Sequence, residues 1–251
     1  MTAMTRWVPG TLVIVSAVFL GACGSSAKKT TPAATTTTAS TLSPSSSTVA
    51  STAPSTTPTS APQAALATAV WPTATSSVRY HSPVAVARAF AIDYLHFVNP
   101  VVGRFRQGDA RSGEVPIRTA VEQASLGPTT TVLVRQMGAD GSWWVLGAST
   151  PNITLVQPPA LATISSPVRL RGTSTAFEAT VQVSIRQDDV AKPLVESYLM
   201  GGSNGKMGPF DASFTFAVPA SRYGAIVLYT ISSANGHVVE ATVTRVGLSP
   251  A

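Results

Sequence analysis

The chain has 251 residues, enough for one or two domains, but only 11% are charged and 44% are hydrophobic, and Ser, Thr, Ala and Pro crowd the part before residue 78, which argues against one uniform globule. A single cysteine excludes a disulfide scaffold and any multi-cysteine metal site, and three scattered histidines leave little for a histidine-rich centre, so no cofactor is expected. Three of the cations behind the net charge of +6 (Arg6, Lys28 and Lys29) precede residue 79 without any acid; the rest is near balance and holds no Lys/Arg run, which argues against a nucleic-acid partner.

The N-terminus places a cation at Arg6, an apolar stretch from Thr11 to Leu20 and then small residues, the layout of an export signal. The stretch is short for a membrane-spanning helix, which needs roughly 20 apolar residues. Leu20-Gly21-Ala22-Cys23 resembles the lipobox of bacterial lipoproteins. That resemblance implies a signal peptide over residues 1–22, cut before Cys23, and a diacylglycerol group on the cysteine sulfur. The alternative is an ordinary signal peptide, cut after Ala22 or Ser26, with no lipid on the cysteine. Acyl chains hold a protein on a membrane because each buried methylene adds about 0.8 kcal/mol.

From Ser25 to Pro62 every residue except Lys28, Lys29, Leu42 and Val49 is Ser, Thr, Ala or Pro. Such a run buries too little to offset the entropy of ordering its backbone, so a disordered stalk is expected over residues 23–78. Trp71, near its end, is expected to dock onto the adjoining domain.

A small α+β domain is expected over residues 79–156. Ser82-Pro83 is a helix start, with Ser as N-cap and Pro at the first helical position. Val86, Phe90, Tyr94 and Phe97 then recur at helical spacing until Asn99-Pro100, which predicts an amphipathic helix of about four turns. Extended pieces come after it, and Gly138-Ala139-Asp140-Gly141 predicts a hairpin turn between TTTVLVRQM and SWWVLGAS. One helix across a small antiparallel sheet is the economical arrangement, and a core of this size calls for contact with its neighbour. Trp143 and Trp144, adjacent on a strand, point to opposite faces: one belongs in the core, the other is exposed or beneath a neighbouring domain. Arg104 and Arg106, with Arg111 and Arg118, flank a turn at Gly108-Asp109, as a solvated face with Asp109 and Glu114 for counter-ions or as an anion site. Trp143, Trp144, Arg104 and Arg106 are the candidate binding surface. Asp93 and His96 could share a helix face as base and orienter, but no motif completes a catalytic set with them.

Residues 157–251 alternate most clearly. FEATVQVSI predicts Phe177, Ala179, Val181, Val183 and Ile185 on one face, and FDASFTFAV predicts Phe210, Ala212, Phe214, Phe216 and Val218 inward. Seven short strands near ten-residue spacing, without a helical pattern between them, predict an immunoglobulin-like β-sandwich. Met200-Gly201-Gly202-Ser203-Asn204-Gly205-Lys206-Met207 misses the spacing of a phosphate-binding loop. Asp188-Asp189 reads as a polar turn and His237 as a hairpin tip. The order Pro159, Ser166-Pro167 into VRLRG, FEATVQVSI, the Gly-rich stretch before FDASFTFAVP, then Ser233-Ala234-Asn235-Gly236 resembles the immunoglobulin-like domain of bacterial spore germination. The resemblance implies a sandwich and an extracytoplasmic setting, and it carries no catalytic residue.

The expected fold is therefore mainly β: a disordered tether, a small α+β domain and a seven-stranded sandwich. The expected function is that of a non-enzymatic lipoprotein on the extracytoplasmic face of the bacterial cell membrane, whose β-rich domains bind an envelope protein or a cell-wall polymer. A structural spacer or assembly subunit is the alternative. An envelope hydrolase around His96 and Asp93 comes third, since no G-x-S-x-G, H-E-x-x-H or spaced carboxylate pair accompanies them.

Overall fold

A computed structural model describes residues 62–73, 75–120 and 127–250. The signal peptide, Leu20-Gly21-Ala22-Cys23 and the stalk as far as residue 61 lie outside the described residues. The elements run α1 (Gln63–Thr68), α2 (Pro83–Ala89), β1 (Val101–Val102), β2 (Arg106–Gln107), β3 (Ser112–Arg118), β4 (Thr130–Met137) and β5 (Ser142–Ser149). They continue with β6 (Ile153–Gln157), β7 (Thr163–Ile164), β8 (Val168–Ala176), β9 (Thr180–Gln187), β10 (Val195–Met200), β11 (Gly202–Ser203), β12 (Gly208–Phe214), β13 (Tyr223–Ile231) and β14 (Val238–Leu248). No helix among the described residues is long and apolar enough to cross a membrane.

Chain order enters the fold earlier than composition suggests. Ala65, Ala69 and Val70 are buried, the Val70 amide donates to the Val145 carbonyl, and Trp71 packs into the central core as expected. Residues from 62 onward, counted with the stalk by composition, thus contribute a helical turn and a bridging segment to the body.

Ser82 caps α2, its Oγ accepting from the Ala85 amide at 3.4 Å, with Pro83 at the first helical position. The helix is shorter than its periodicity implies. After Ala89 it widens into a single π-turn over Phe90–Tyr94, and the chain leaves at Leu95; His96 and Asn99 take positive φ angles of 60° and 47°. The turn lets Phe97 fold back, its amide bonding to the Ala91 carbonyl at 2.8 Å, so Phe97 still reaches the core that helical spacing assigned to it. The hairpin stands where the sequence placed it: Gly138 and Gly141 have φ angles of 80° and 68° between β4 and β5.

Ten strands form one sheet in the order β1-β3-β4-β5-β14-β13-β9-β10, with β2 paired to β3 and β7 lying parallel to β14. A second sheet pairs β8 with β6 and β12 antiparallel and with β11 parallel. The second sheet covers one face of β9 and β13, enclosing Val181, Val183, Ile185, Leu170, Phe210, Ile226 and Leu228 in the sandwich core. On the opposite face of β13 and β14, Ala225, Val227, Ala241 and Val243 share a core with α2 and with Val115, Ile117, Val132 and Val134. One sheet therefore serves both halves, joined where Val243 pairs with Ala148, and the described residues belong to one compact unit.

Two stretches of the alternation break at their ends. Phe177 is 64% exposed because Phe177–Ala179 make a tight turn, with Glu178 and Ala179 at φ angles of 52° and 61°, and the strand starts only at Thr180. Pairing of β12 ends at Phe214; Phe216 is buried, but Val218 is 71% exposed beyond the ladder.

Candidate functional site

The apolar residues of β4 and β5 point both ways. Val132, Val134 and Val145 meet α2, whereas Leu133, Arg135, Met137, Trp144 and Leu146 occupy the other face. Among the described residues α1 packs over part of that second face, against Met137, Trp144 and Leu146. What stays open is a groove of about 680 Å³, walled by Leu133 and Leu146 on one side and by Ile153, Leu155 and Leu161 on the other, with Val243 and Thr242 from β14 at its base. Its size falls in the roughly 300–1,000 Å³ range of small-ligand sites, which are mostly apolar with a few placed polar groups.

Backbone geometry keeps the groove from closing. Beside the Val243–Ala148 bridge, a Cβ on Gly147 would lie 2.6 Å from the Val243 carbonyl oxygen, so only glycine lets the two strands approach there. Farther along β14, β7 takes over the pairing at Gly247 and Leu248, so the strands part on that side of the bridge. Leu161 is held at the lip by its amide, which donates to the Arg245 carbonyl at 2.8 Å, at a φ of 66°. Thr242 Oγ1 donates to the Ile153 carbonyl at 2.7 Å and ties β6 to the base. Arg135 is exposed at the rim and makes none of the ion pairs found among the described residues.

The residues singled out from sequence lie elsewhere. Trp144 is 1% exposed beneath α1, with the Arg79 guanidinium 5.2 Å from its ring centroid. Trp143 is half-buried against the central core, edge-on to Phe105 at 5.3 Å. Both indoles are thus packed, one under the N-terminal helical turn and one against Phe105 in the segment before β2. Arg104 and Arg106 line a separate cleft of about 630 Å³ with Phe105, Pro116 and Arg118. The expected counter-ions do not serve them. Glu114 pairs with Arg106 in backbone register without forming an ion pair, and Asp109 closes its own turn by accepting from the Arg111 amide at 2.8 Å. That bond, helped by Ser112, holds the Asp109 carboxyl below the usual range.

Asp93 and His96 line the same cleft of about 540 Å³, together with Tyr94, Arg186, Asp189 and Glu196. Arg186 is pinned there: its Nε donates to Ser184 Oγ at 3.1 Å, its Nη1 donates to the Tyr94 carbonyl, and its guanidinium sits 4.9 Å from the Tyr94 ring centroid. Burial pushes the Tyr94 hydroxyl up to about 12, against the opposing pull of Arg186. Among the described residues no three His, Cys, Asp or Glu side chains gather as a metal-binding group.

Sequence reasoning passed over Leu133, Leu146, Leu161 and Glu240. The consecutive Val132-Leu133-Val134 was a usable signal, since a strand apolar on both faces has something to cover on each. Glu240 is 4% exposed at the end of the sandwich, where it accepts from Thr150 Oγ1, from Asn152 Nδ2 at 3.1 and 3.2 Å and from Thr230 Oγ1 at 3.4 Å. Desolvation raises its carboxyl above the ordinary value, and the three donors only partly oppose that. With the folded-state value above the unfolded one, the folded protein binds the extra proton, so this contribution is complete at pH below the unfolded value and is lost as pH rises through the folded one. The expected result is that wild type loses stability relative to Glu240→Gln on going from pH 4 to pH 7. Urea midpoints of both chains at the two pH values check it; a constant difference contradicts it.

No curated protein and no solved structure matches the chain. The part of it that does find a known counterpart is the sandwich: residues 152–237, from the turn before β6 to the hairpin ahead of β14, match the immunoglobulin-like domain of bacterial spore germination.

Proposed function

We propose that this chain is a non-enzymatic, lipid-anchored protein of the bacterial cell envelope, tethered through Cys23 on the extracytoplasmic face and binding another envelope component, protein or cell-wall polymer, through its β-rich body. The match to a spore-germination domain supports an envelope-associated role, and the sequence around Cys23 supports the anchor. The observation that carries the binding part is the groove between Leu133, Leu146, Leu155 and Leu161, an open apolar concavity of about 680 Å³.

A photo-crosslinking residue at Leu133, in the anchored chain in its own envelope, is expected to capture a discrete partner. Leu133→Asp and Leu161→Asp place a charge in that wall at exposed positions and are expected to weaken capture at least about tenfold, which corresponds to about 1.4 kcal/mol. Capture that both variants leave unchanged overturns the groove as the binding site. Absence of any discrete capture by the intact anchored chain favours the spacer reading instead.

A further inference from the structure

A second cavity opens at the far end of the sandwich, where β8 runs into the Phe177–Ala179 turn and β13 into the turn before His237. It measures about 460 Å³, and Glu240 is the single charged residue among those lining it. Glu240 is also the one acid among the buried polar residues described. The carboxylates that form ion pairs among the described residues each have an arginine: Asp188 pairs with Arg245, and Asp211 with Arg169 and Arg171. Among the described residues Glu240 has Thr150, Asn152 and Thr230, three neutral donors that orient the carboxylate without balancing its charge. A buried charge held by neutral groups alone is costly, and a cation within reach removes that cost.

Two other features of the cavity bear on what cation fits. Thr175, in the same wall, has a buried Oγ1 with no hydrogen-bond partner among the described residues, an acceptor left unsatisfied beside the cavity. At the mouth stand Phe177 and Ile231, both large apolar side chains exposed to solvent. A donor-rich cation satisfies the first pair of groups and an apolar stem covers the second. Ammonium supplies up to three donors and one positive charge.

The geometry points to a binding site for a primary ammonium carried on a short apolar stem, the head held by Glu240 and Thr175 and the stem covered by Phe177 and Ile231. The site lies apart from the groove: none of these four residues lines both cavities. Binding of the head stabilises the ionised carboxylate, so a protonated Glu240 releases its proton on binding, in keeping with its raised value.

The test uses the intact chain, labelled with ¹⁵N, at constant ionic strength and neutral pH. n-Butylammonium chloride in the millimolar range is expected to shift the amide signals of Asn152, Thr175, Phe177, Thr230 and Glu240 saturably. n-Butanol, the same stem with a neutral head, is expected to bind at least about tenfold more weakly. Glu240→Gln is expected to abolish the difference between the two. Phe177→Ala, at an exposed position, is expected to weaken n-butylammonium several-fold while leaving methylammonium unaffected, and it keeps the test decisive should Glu240→Gln fail to fold. Equal binding of the amine and the alcohol, an undiminished response in Glu240→Gln, or no saturable shift at these residues overturns the assignment.

Discussion

Phe90→Ala is expected to destabilise the protein by about 3–5 kcal/mol, the usual cost of emptying a buried phenylalanine site, and to do so across both halves at once. Phe90 is 0% exposed and stacks on Tyr94 with ring centroids 5.1 Å apart. The same core holds Ala225, Val227, Ala241 and Val243 from the two central strands of the sandwich, so the void opens against that sheet as well as under the helix. The described tryptophans, Trp71, Trp143 and Trp144, all lie in the helical half. Their fluorescence therefore follows one half, and amide exchange at Val227 and Val243 follows the other. Both are expected to shift by the same free energy in a single transition. Fluorescence that moves while exchange on β13 and β14 stays put would mean that the halves unfold independently.

Arg245→Ala is expected to cost a similar amount, about 3–5 kcal/mol, because it leaves the mostly covered Asp188 carboxylate, 15% exposed, without its partner. The side chain of Arg245 is 2% exposed; its Nη1 and Nη2 donate to the two oxygens of Asp188 at 2.6 and 2.7 Å, and its guanidinium sits 5.3 Å from the Tyr223 ring centroid. Geometry of this kind is two-pronged and directional, so lysine is a poor replacement. The informative comparison is the pair. Arg245→Met combined with Asp188→Leu removes both charges while keeping much of the volume, and is expected to recover most of the loss. Thermal and urea unfolding of the two single variants and the double variant give the coupling energy. Simple additivity of the single losses would show that the two side chains act separately.

Asp188-Asp189 illustrates how far local pattern reaches. As a polar turn it was legible, and a polar turn it is; its first carboxylate nevertheless belongs to an arginine 57 residues along the chain, on a strand that local pattern does not connect to it. Arg104 and Arg106 show the converse. Sequence proximity suggested Asp109 and Glu114 as partners, but short-range backbone bonding claimed Asp109 and strand pairing set Glu114 opposite Arg106 without an ion pair. Trp143 and Trp144 divided between two faces as alternation requires, yet what covers each face came from outside the hairpin: α1 over Trp144, and the chain around Phe105 over Trp143.

Sequence alone determined the pieces whose causes lie within a few residues: the Ser82-Pro83 start, the Gly138–Gly141 turn, and the alternation that turns Val181, Val183 and Ile185 inward. Capping, positive φ and the two-residue period of a strand are local steric facts, so residue order carries them. Only the tertiary structure decided that Ala148 lies beside Val243, so that one sheet spans both halves, leaves a leucine-walled groove on one face and buries Glu240 at the sandwich end. Those outcomes depend on which strand lies beside which across about a hundred residues of chain, and each strand's own pattern is satisfied equally well by several neighbours.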